Sequence, residues 1–90
     1  MRAPVYTRQF EKDIKKARQR GQNLEKLKII VKGLIAGDRI DSIHRDHALL
    51  GNYANRRECH IESDWLLIYK LEKDRIIFER TGRHSDIFKK

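Results

Sequence analysis

The sequence has little cysteine, proline or glycine, and it has no long apolar run. Of its 90 residues, one is cysteine, one is proline and five are glycine. The lone Cys59 excludes an internal disulfide and fits a reducing compartment, so we expect a cytoplasmic protein. No apolar stretch approaches the roughly 20 residues that span a bilayer, which disfavours membrane insertion and secretion. With 39% hydrophobic residues, this composition predicts a folded globule.

Acidic residues are also scarce, mainly in the first part of the chain. Residues 1–36 contain ten Lys or Arg and three Asp or Glu, whereas residues 37–90 contain eleven and ten. The formal net charge of +8 therefore belongs mostly to the N-terminal part. Such a basic field favours nucleic acid or an acidic protein segment as a partner, without specifying a nucleotide sequence. The chain length predicts one domain over residues 1–90, with a modest core.

Two amphipathic helices are predicted in the first part. Residues 3–6 indicate a short edge strand that contains the only proline. Thr7 is a suitable N-cap for a first helix that ends near Gly21. Asn23 is a suitable N-cap for a second, more apolar helix that ends at Gly37.

The second part predicts an antiparallel meander. Strand patterns cover residues 56–62, 65–71 and 75–81, and a polar turn at residues 72–74 joins the last two. Both faces of the middle strand are apolar, so both must be at least partly covered. Residues 38–55 lose periodicity and indicate a functional loop. We therefore predict an α+β fold in which two N-terminal helices pack on one face of a small, mostly antiparallel sheet.

Histidines are the most informative residues of the second part, because imidazole titrates near neutral pH. Cleavage of RNA by its own 2′-oxygen needs a base, an acid, cations for the phosphate and a surface that holds the nucleotides. The candidate groups are His47, His60 and His84 as acid and base, Asp64 as base or orienting group, Arg80 and Arg83 as phosphate ligands, and Trp65, Tyr69 or Phe88 as stacking surfaces.

Each of these groups also has a structural explanation, and the residue pattern does not separate the two. The structural alternatives are core packing for Trp65 and Tyr69, a C-terminal anchor for Phe88, an ion pair with Glu79 for Arg80, a turn cap for Asp64 and a bystander role for His44.

A metal site is disfavoured. The pair His44-x-x-His47 and the pair Cys59-His60 are loosely spaced, and neighbouring strand residues such as Cys59 and His60 point to opposite faces. Cys59 is in phase with Ile61, which predicts a buried, inert thiol. We expect no metal and no cofactor.

With these residues identified, the chain resembles the YafQ-type toxins of the RelE/ParE superfamily, from about Tyr6 to Phe88. The resemblance rests on three segments taken together. They are Arg45-Asp46-His47 with Leu50-x-Asn52, then Arg57-x-x-His60-Ile61-Glu62-x-Asp64-Trp65-x-Leu67-Ile68-Tyr69-Lys70-Leu71, and Phe78-Glu79-Arg80-Thr81-Gly82-x-His84-x-x-x-Phe88.

This resemblance implies the toxin of a type II toxin–antitoxin system, an endoribonuclease that cuts mRNA in the ribosomal A site by 2′-oxygen attack without a metal. The family's active-site positions fall on His47, His60, Asp64, Trp65, His84 and Phe88. It also implies an acidic antitoxin that binds the toxin, and operator DNA bound indirectly through that antitoxin. The basic helical half fits this partner, or ribosomal RNA, by charge.

The sequence departs from the resemblance at two places. Ser63 stands where such toxins often have proline, and Tyr53-Ala54-Asn55 stands where Trp and Gly are common. The first affects how Asp64 is positioned, and the second affects base preference. Three alternatives stay open: a ParE-like inhibitor of DNA gyrase, a degenerate toxin that only represses with its antitoxin, and a general RNA-binding domain.

Overall fold

A five-stranded sheet is the centre of the structure. The computed structural model describes residues 2–38, 44, 46–49 and 55–88. Within these ranges the elements are β1 (Ala3–Tyr6), α1 (Arg8–Gln19), α2 (Leu24–Ala36), β2 (His47–Ala48), β3 (Arg57–Glu62), β4 (Trp65–Leu71), β5 (Arg75–Gly82) and α3 (His84–Ile87). The strand order is β1-β5-β4-β3-β2. β1 runs parallel to β5, and the other neighbours are antiparallel. The predicted α+β class and the meander of β3, β4 and β5 are confirmed.

Both long helices begin at the predicted capping residues. The Thr7 hydroxyl accepts a hydrogen bond from the backbone N–H of Phe10 at 3.0 Å, and the Asn23 side chain accepts one from Glu25 N–H at 3.1 Å. α2 ends at Gly37, whose φ of 83° is a left-handed conformation that glycine adopts without steric cost. Among the described residues, no helix has the length and apolarity that a bilayer crossing requires.

The main core lies between α1, α2 and one face of the sheet. The inward side chains of β4 on this face are those of Trp65, Leu67 and Tyr69, as the alternation of a strand predicts. They pack with helix residues and with neighbouring strands; the other buried members are Phe10, Ala17, Leu27, Ile30, Leu34, Cys59, Ile61, Ile76 and Phe78. The two helices therefore cover one face, as predicted.

The opposite face of the sheet has a smaller apolar cluster. Leu66 and Ile68 of β4 are fully buried there, with Ile87 of α3. Leu49 and Phe88 pack against this cluster and are half-buried. This face is only partly covered, so polar side chains next to the cluster are open to a ligand.

Two short elements were not predicted. β2 falls within the segment interpreted as a loop, and α3 follows the last predicted strand. A two-residue strand and a four-residue helix are both too short to show a hydrophobic period. The loop residues Leu50, Asn52, Tyr53 and Ala54, together with Arg45, lie outside the described residues, so expectations for them stay predictions.

Candidate active site

Three histidines distant in sequence lie in a row on the face away from α1 and α2. They are His47 of β2, His60 of β3 and His84 of α3. The ring centroids of His47 and His60 are 6.5 Å apart, and those of His60 and His84 are 6.0 Å apart. The ring of Phe88 follows, 6.0 Å from that of His84. The structure thus brings together three of the predicted acid–base groups and one predicted stacking residue.

Strand pairing explains why two of these histidines share a face. His47 is opposite Glu58 in the pairing of β2 with β3, and residues directly opposite each other point to the same side. His60 is two positions after Glu58 and opposite Leu66 of β4, so it also points away from the long helices.

Glu58 lies between these two imidazoles, and the sequence analysis did not identify it. Its side chain is 6% exposed, and Oε1 accepts a hydrogen bond from Nε2 of His60 at 3.1 Å. Nε2 of His47 lies 3.7 Å from the same oxygen. A signal was available, since glutamate is disfavoured inside strands and Glu58 shares the phase of His60. This carboxylate orients the ring of His60 by a hydrogen bond and lies within ion-pair distance of His47.

The other ring nitrogen of His60 also faces an acceptor. Its Nδ1 is 3.4 Å from the carbonyl oxygen of Ser63. Both acceptors are satisfied at the same time only when both nitrogens carry protons. The ring of His60 is thus held between two acceptors, and the contact to Glu58 is the shorter one.

His44 stabilises the backbone next to this site. Its Nδ1 is 2.7 Å from the carbonyl oxygen of His60, so this nitrogen carries the proton and donates. Its predicted bystander role in the reaction stays a prediction.

Asp64 and His84 form the most exposed part of the site. One oxygen of Asp64 is 3.2 Å from the backbone nitrogen of His84 and 3.1 Å from its Nδ1. The hydrogen bond from the His84 side chain lowers the pKa of Asp64, and the bond from its backbone N–H adds to this effect. An ionised Asp64 only accepts, so Nδ1 of His84 carries a proton and donates the hydrogen bond. Both side chains are more than half exposed, at 61% and 55%.

Trp65 is a core residue. It is 1% exposed and belongs to the cluster under α1 and α2. Its indole N–H donates to the Thr81 hydroxyl at 2.9 Å, and that hydroxyl donates to the carbonyl oxygen of Leu66 at 2.7 Å. Because the ring has no exposed face, the expectation that Trp65 stacks on substrate is corrected in favour of its structural alternative.

Arg80 is held by a carboxylate on α1. Its Nε and one terminal nitrogen donate to Asp13 at 2.8 and 3.3 Å, and Asp13 also accepts the backbone N–H of Thr81 at 3.1 Å. The ion-pair alternative for Arg80 is thus right in kind but wrong in partner, because Glu79 pairs with Arg56. The Arg80 side chain is 26% exposed, so only its edge can reach a phosphate.

The two remaining predicted substrate ligands lie at the end of the row. Arg83 is exposed directly before His84, where a phosphate can reach it. Phe88 is half-buried against the Leu66 and Ile68 cluster and beside His84, so it acts as an anchor and still offers part of its ring.

Cys59 and His60 lie on opposite faces of the sheet, as the alternation of side chains along β3 predicts. Cys59 is fully buried in the core under the long helices, whereas His60 is on the other face. Burial is the main reason that the pKa of the thiol is raised to about 12. Within the described ranges, no group of three or more His, Cys, Asp or Glu side chains has the arrangement of a metal site.

Two helices thus cover one face of a five-stranded sheet, and three imidazoles are aligned on the other face. Residues 2–89 match the family described as bacterial toxin of type II toxin–antitoxin system, YafQ. The chain belongs to this family.

Relatives and solved structures agree with this assignment. The mRNA interferase toxin YafQ of Escherichia coli (strain K12) is 39% identical over 84 residues, which are 92% of this chain and 91% of that protein. The crystal structure of YafQ from E. coli strain BL21(DE3) superposes with a TM-score of 0.94 at 37% identity, over 98% of this chain and 99% of the other. The toxin in the E. coli DinJ–YafQ toxin–antitoxin complex superposes with a TM-score of 0.91 at 39% identity, over 97% of each chain.

Proposed function

We propose that this toxin is an endoribonuclease that cuts mRNA on the ribosome, by attack of the RNA 2′-oxygen and without a metal ion. The observation that carries the proposal is the alignment of His47, His60 and His84 around the carboxylates of Asp64 and Glu58. A relative named as an mRNA interferase supports it. A gyrase-binding protein would have no need of acid–base groups gathered on one sheet face.

His84 is the proposed base. Its Nδ1–H donates to Asp64, which leaves Nε2 to take the proton of the 2′-hydroxyl as the 2′-oxygen bonds to phosphorus. Asp64 stays ionised and stabilises the imidazolium that forms. Arg83, directly before His84 in the chain, would neutralise the phosphate oxygens.

The imidazoles that share Glu58 are the proposed acid. As the bond between phosphorus and the 5′-oxygen breaks, His60 or His47 gives a proton to that oxygen, and Glu58 holds the ring that loses it. In His60 this proton would come from Nδ1, which leaves its 3.4 Å contact with the Ser63 carbonyl while Nε2 stays on Glu58. The ring centroids of His60 and His84 are 6.0 Å apart, so an acid and a base at these positions could reach different oxygens of one phosphodiester. The products are a 2′,3′-cyclic phosphate and a 5′-hydroxyl.

The charge distribution supports the proposed partners. The E. coli relative forms a complex with the antitoxin DinJ, and we infer an acidic antitoxin for this toxin as well. Ten basic and three acidic residues in positions 1–36 complement such a protein, or ribosomal RNA. Operator DNA would be bound through the antitoxin.

Replacing the base tests the reaction. We expect His84→Ala to abolish growth arrest and message cleavage on ribosomes, while Lys73→Ala, exposed in the turn between β4 and β5, behaves as wild type. Wild-type cleavage should leave a cyclic phosphate or 3′-phosphate. A 3′-hydroxyl end would overturn the mechanism, and growth arrest by His84→Ala with intact messages would favour the gyrase-inhibitor alternative.

Naked RNA tests the dependence on the ribosome. The exposed site has few surfaces that align a flexible strand, so we expect free transcripts to be cut far more slowly than messages on ribosomes. Equal rates with and without ribosomes would contradict this part of the proposal.

A further inference from the structure

α3 is too short to hold itself in place. Four residues form a single turn, and an isolated turn is unstable because its nucleation costs more conformational entropy than its hydrogen bonds return. Yet this turn begins at His84, and Phe88 follows it. The position of the proposed base therefore depends on contacts that α3 makes with the rest of the protein.

A single carboxylate supplies the polar contacts. Asp86 accepts the backbone N–H of Arg83 at 3.1 Å, which starts the turn. At the C-terminal end of α1, it accepts hydrogen bonds from two nitrogens of the capping residue Arg20 at 2.7 and 3.3 Å and from the ammonium of Lys16 at 3.2 Å. Asp86 thus connects the last turn of α1 to the turn that carries His84.

α1 is itself fixed to the sheet next to this connection. Asp13 is 7% exposed and holds the backbone and side chain of residues 80–81 on β5. Two carboxylates therefore connect the segment around His84 to α1. Asp13 does so on the side before His84, and Asp86 on the side after it. On its apolar side, Ile87 is buried against Leu66 and Ile68.

We propose that Asp86 and Arg20 are positioning residues for the reaction: their ion pair fixes α3 so that His84 stays against Asp64 and beside His60. The inference rests on the proposed role of His84 as the base. Among the described residues, neither is hydrogen-bonded or ion-paired to the row of imidazoles, so their effect on the reaction is transmitted through the orientation of α3.

Kinetics on programmed ribosomes test the proposal. We expect Asp86→Asn and Arg20→Gln each to lower kcat by roughly 10- to 100-fold, the scale expected when a reacting group is displaced by about an ångström, with little change in KM. The double variant R20D/D86R restores the ion pair with reversed partners and should recover part of the lost kcat. Glu72→Gln, which removes an ion pair with Arg75 in a distant turn, is the matched control and should keep the parental kcat.

Measurements per folded molecule separate positioning from stability. Each variant is examined by urea unfolding, and rates are corrected for the folded fraction. Parental kcat in either single variant, or a raised KM with unchanged kcat, would overturn the positioning role. If His84→Ala also cleaved at the parental rate, the proposed function would be wrong; if His84→Ala were inactive and Asp86→Asn fully active, only the present inference would be.

Discussion

The buried carboxylate of Glu58 accepts a hydrogen bond from Nε2 of His60, two positions further along the same strand. Burial of a charged carboxylate destabilises a folded protein unless the charge is paired. The contact of Glu58 with the imidazoles offsets this cost.

Replacement of Glu58 by Gln removes the charge but keeps the shape. We expect Glu58→Gln to fold and to lower kcat for message cleavage by about 10- to 100-fold, because the acid loses the group that orients it. The control is Glu62→Gln on the same strand, where the carboxylate is exposed and pairs with Lys26 of α2. Equal loss in both variants, or no loss in Glu58→Gln, would contradict this role.

Trp65 should affect stability and not substrate binding. Trp65→Phe removes the donor to the Thr81 hydroxyl and leaves a small cavity, so the free energy of unfolding should fall by about 1–3 kcal/mol. KM on ribosomes should not change. A raised KM with unchanged stability would instead restore the stacking interpretation.

Asp13 should be important for folding. In Asp13→Asn, Arg80 and the Thr81 N–H lose a charged acceptor that is almost fully buried, which should cost roughly 2–3 kcal/mol. Urea unfolding measures the loss. Asp38→Asn, at an exposed position, is the comparison and should be nearly neutral.

The ion pair of Asp86 should make the free energy of unfolding fall as the pH is lowered into the acid range. Hydrogen bonds from Arg20 hold the pKa of Asp86 far below its ordinary value of about 3.9, so the unfolded chain binds a proton first as the pH falls. The stabilisation is therefore complete above that value and is lost below it. At neutral pH, Asp86→Asn should be less stable by up to about 1 kcal/mol, and the difference should shrink below pH 4. A difference that stays constant from neutral pH to about pH 2 would be inconsistent with this assignment.

Cys59 should not react in the folded protein. With its pKa raised to about 12 by burial, the thiol is protonated at pH 8 and shielded from reagents. We expect Ellman's reagent to modify it only after denaturation, with one equivalent released. Rapid modification of the native protein would show that the core under the long helices opens readily.

Long periodic segments made most of the fold predictable. The bounds of α2 follow almost to the residue from its apolar stripe, its cap Asn23 and its terminal Gly37. The bounds and both faces of β4 follow from the alternation in residues 65–71. The site was less predictable. His60 and His84 could be identified by residue type, but the role of Glu58 depends on the pairing of β2, which has only two residues.

Contacts between distant residues were the least predictable. Arg80 was expected to pair with its neighbour Glu79, yet it binds Asp13, 67 positions away. No local pattern encodes such a choice, because it follows from where α1 crosses β5. For Trp65 the local pattern was the better guide. Its position in the alternation of β4 indicated burial, whereas the family resemblance implied contact with substrate.

The parallel pairing of residues 3–6 with residues 75–78 constrains how the protein is made. The ribosome delivers the polypeptide from its amino end, so residues 3–6 cannot pair until residues 75–78 have emerged. A product that stalls before this point lacks both the completed sheet and His84. Because such a fragment lacks the proposed base, we expect it to be inactive, so closing of the sheet and arrival of the proposed base come together late in synthesis.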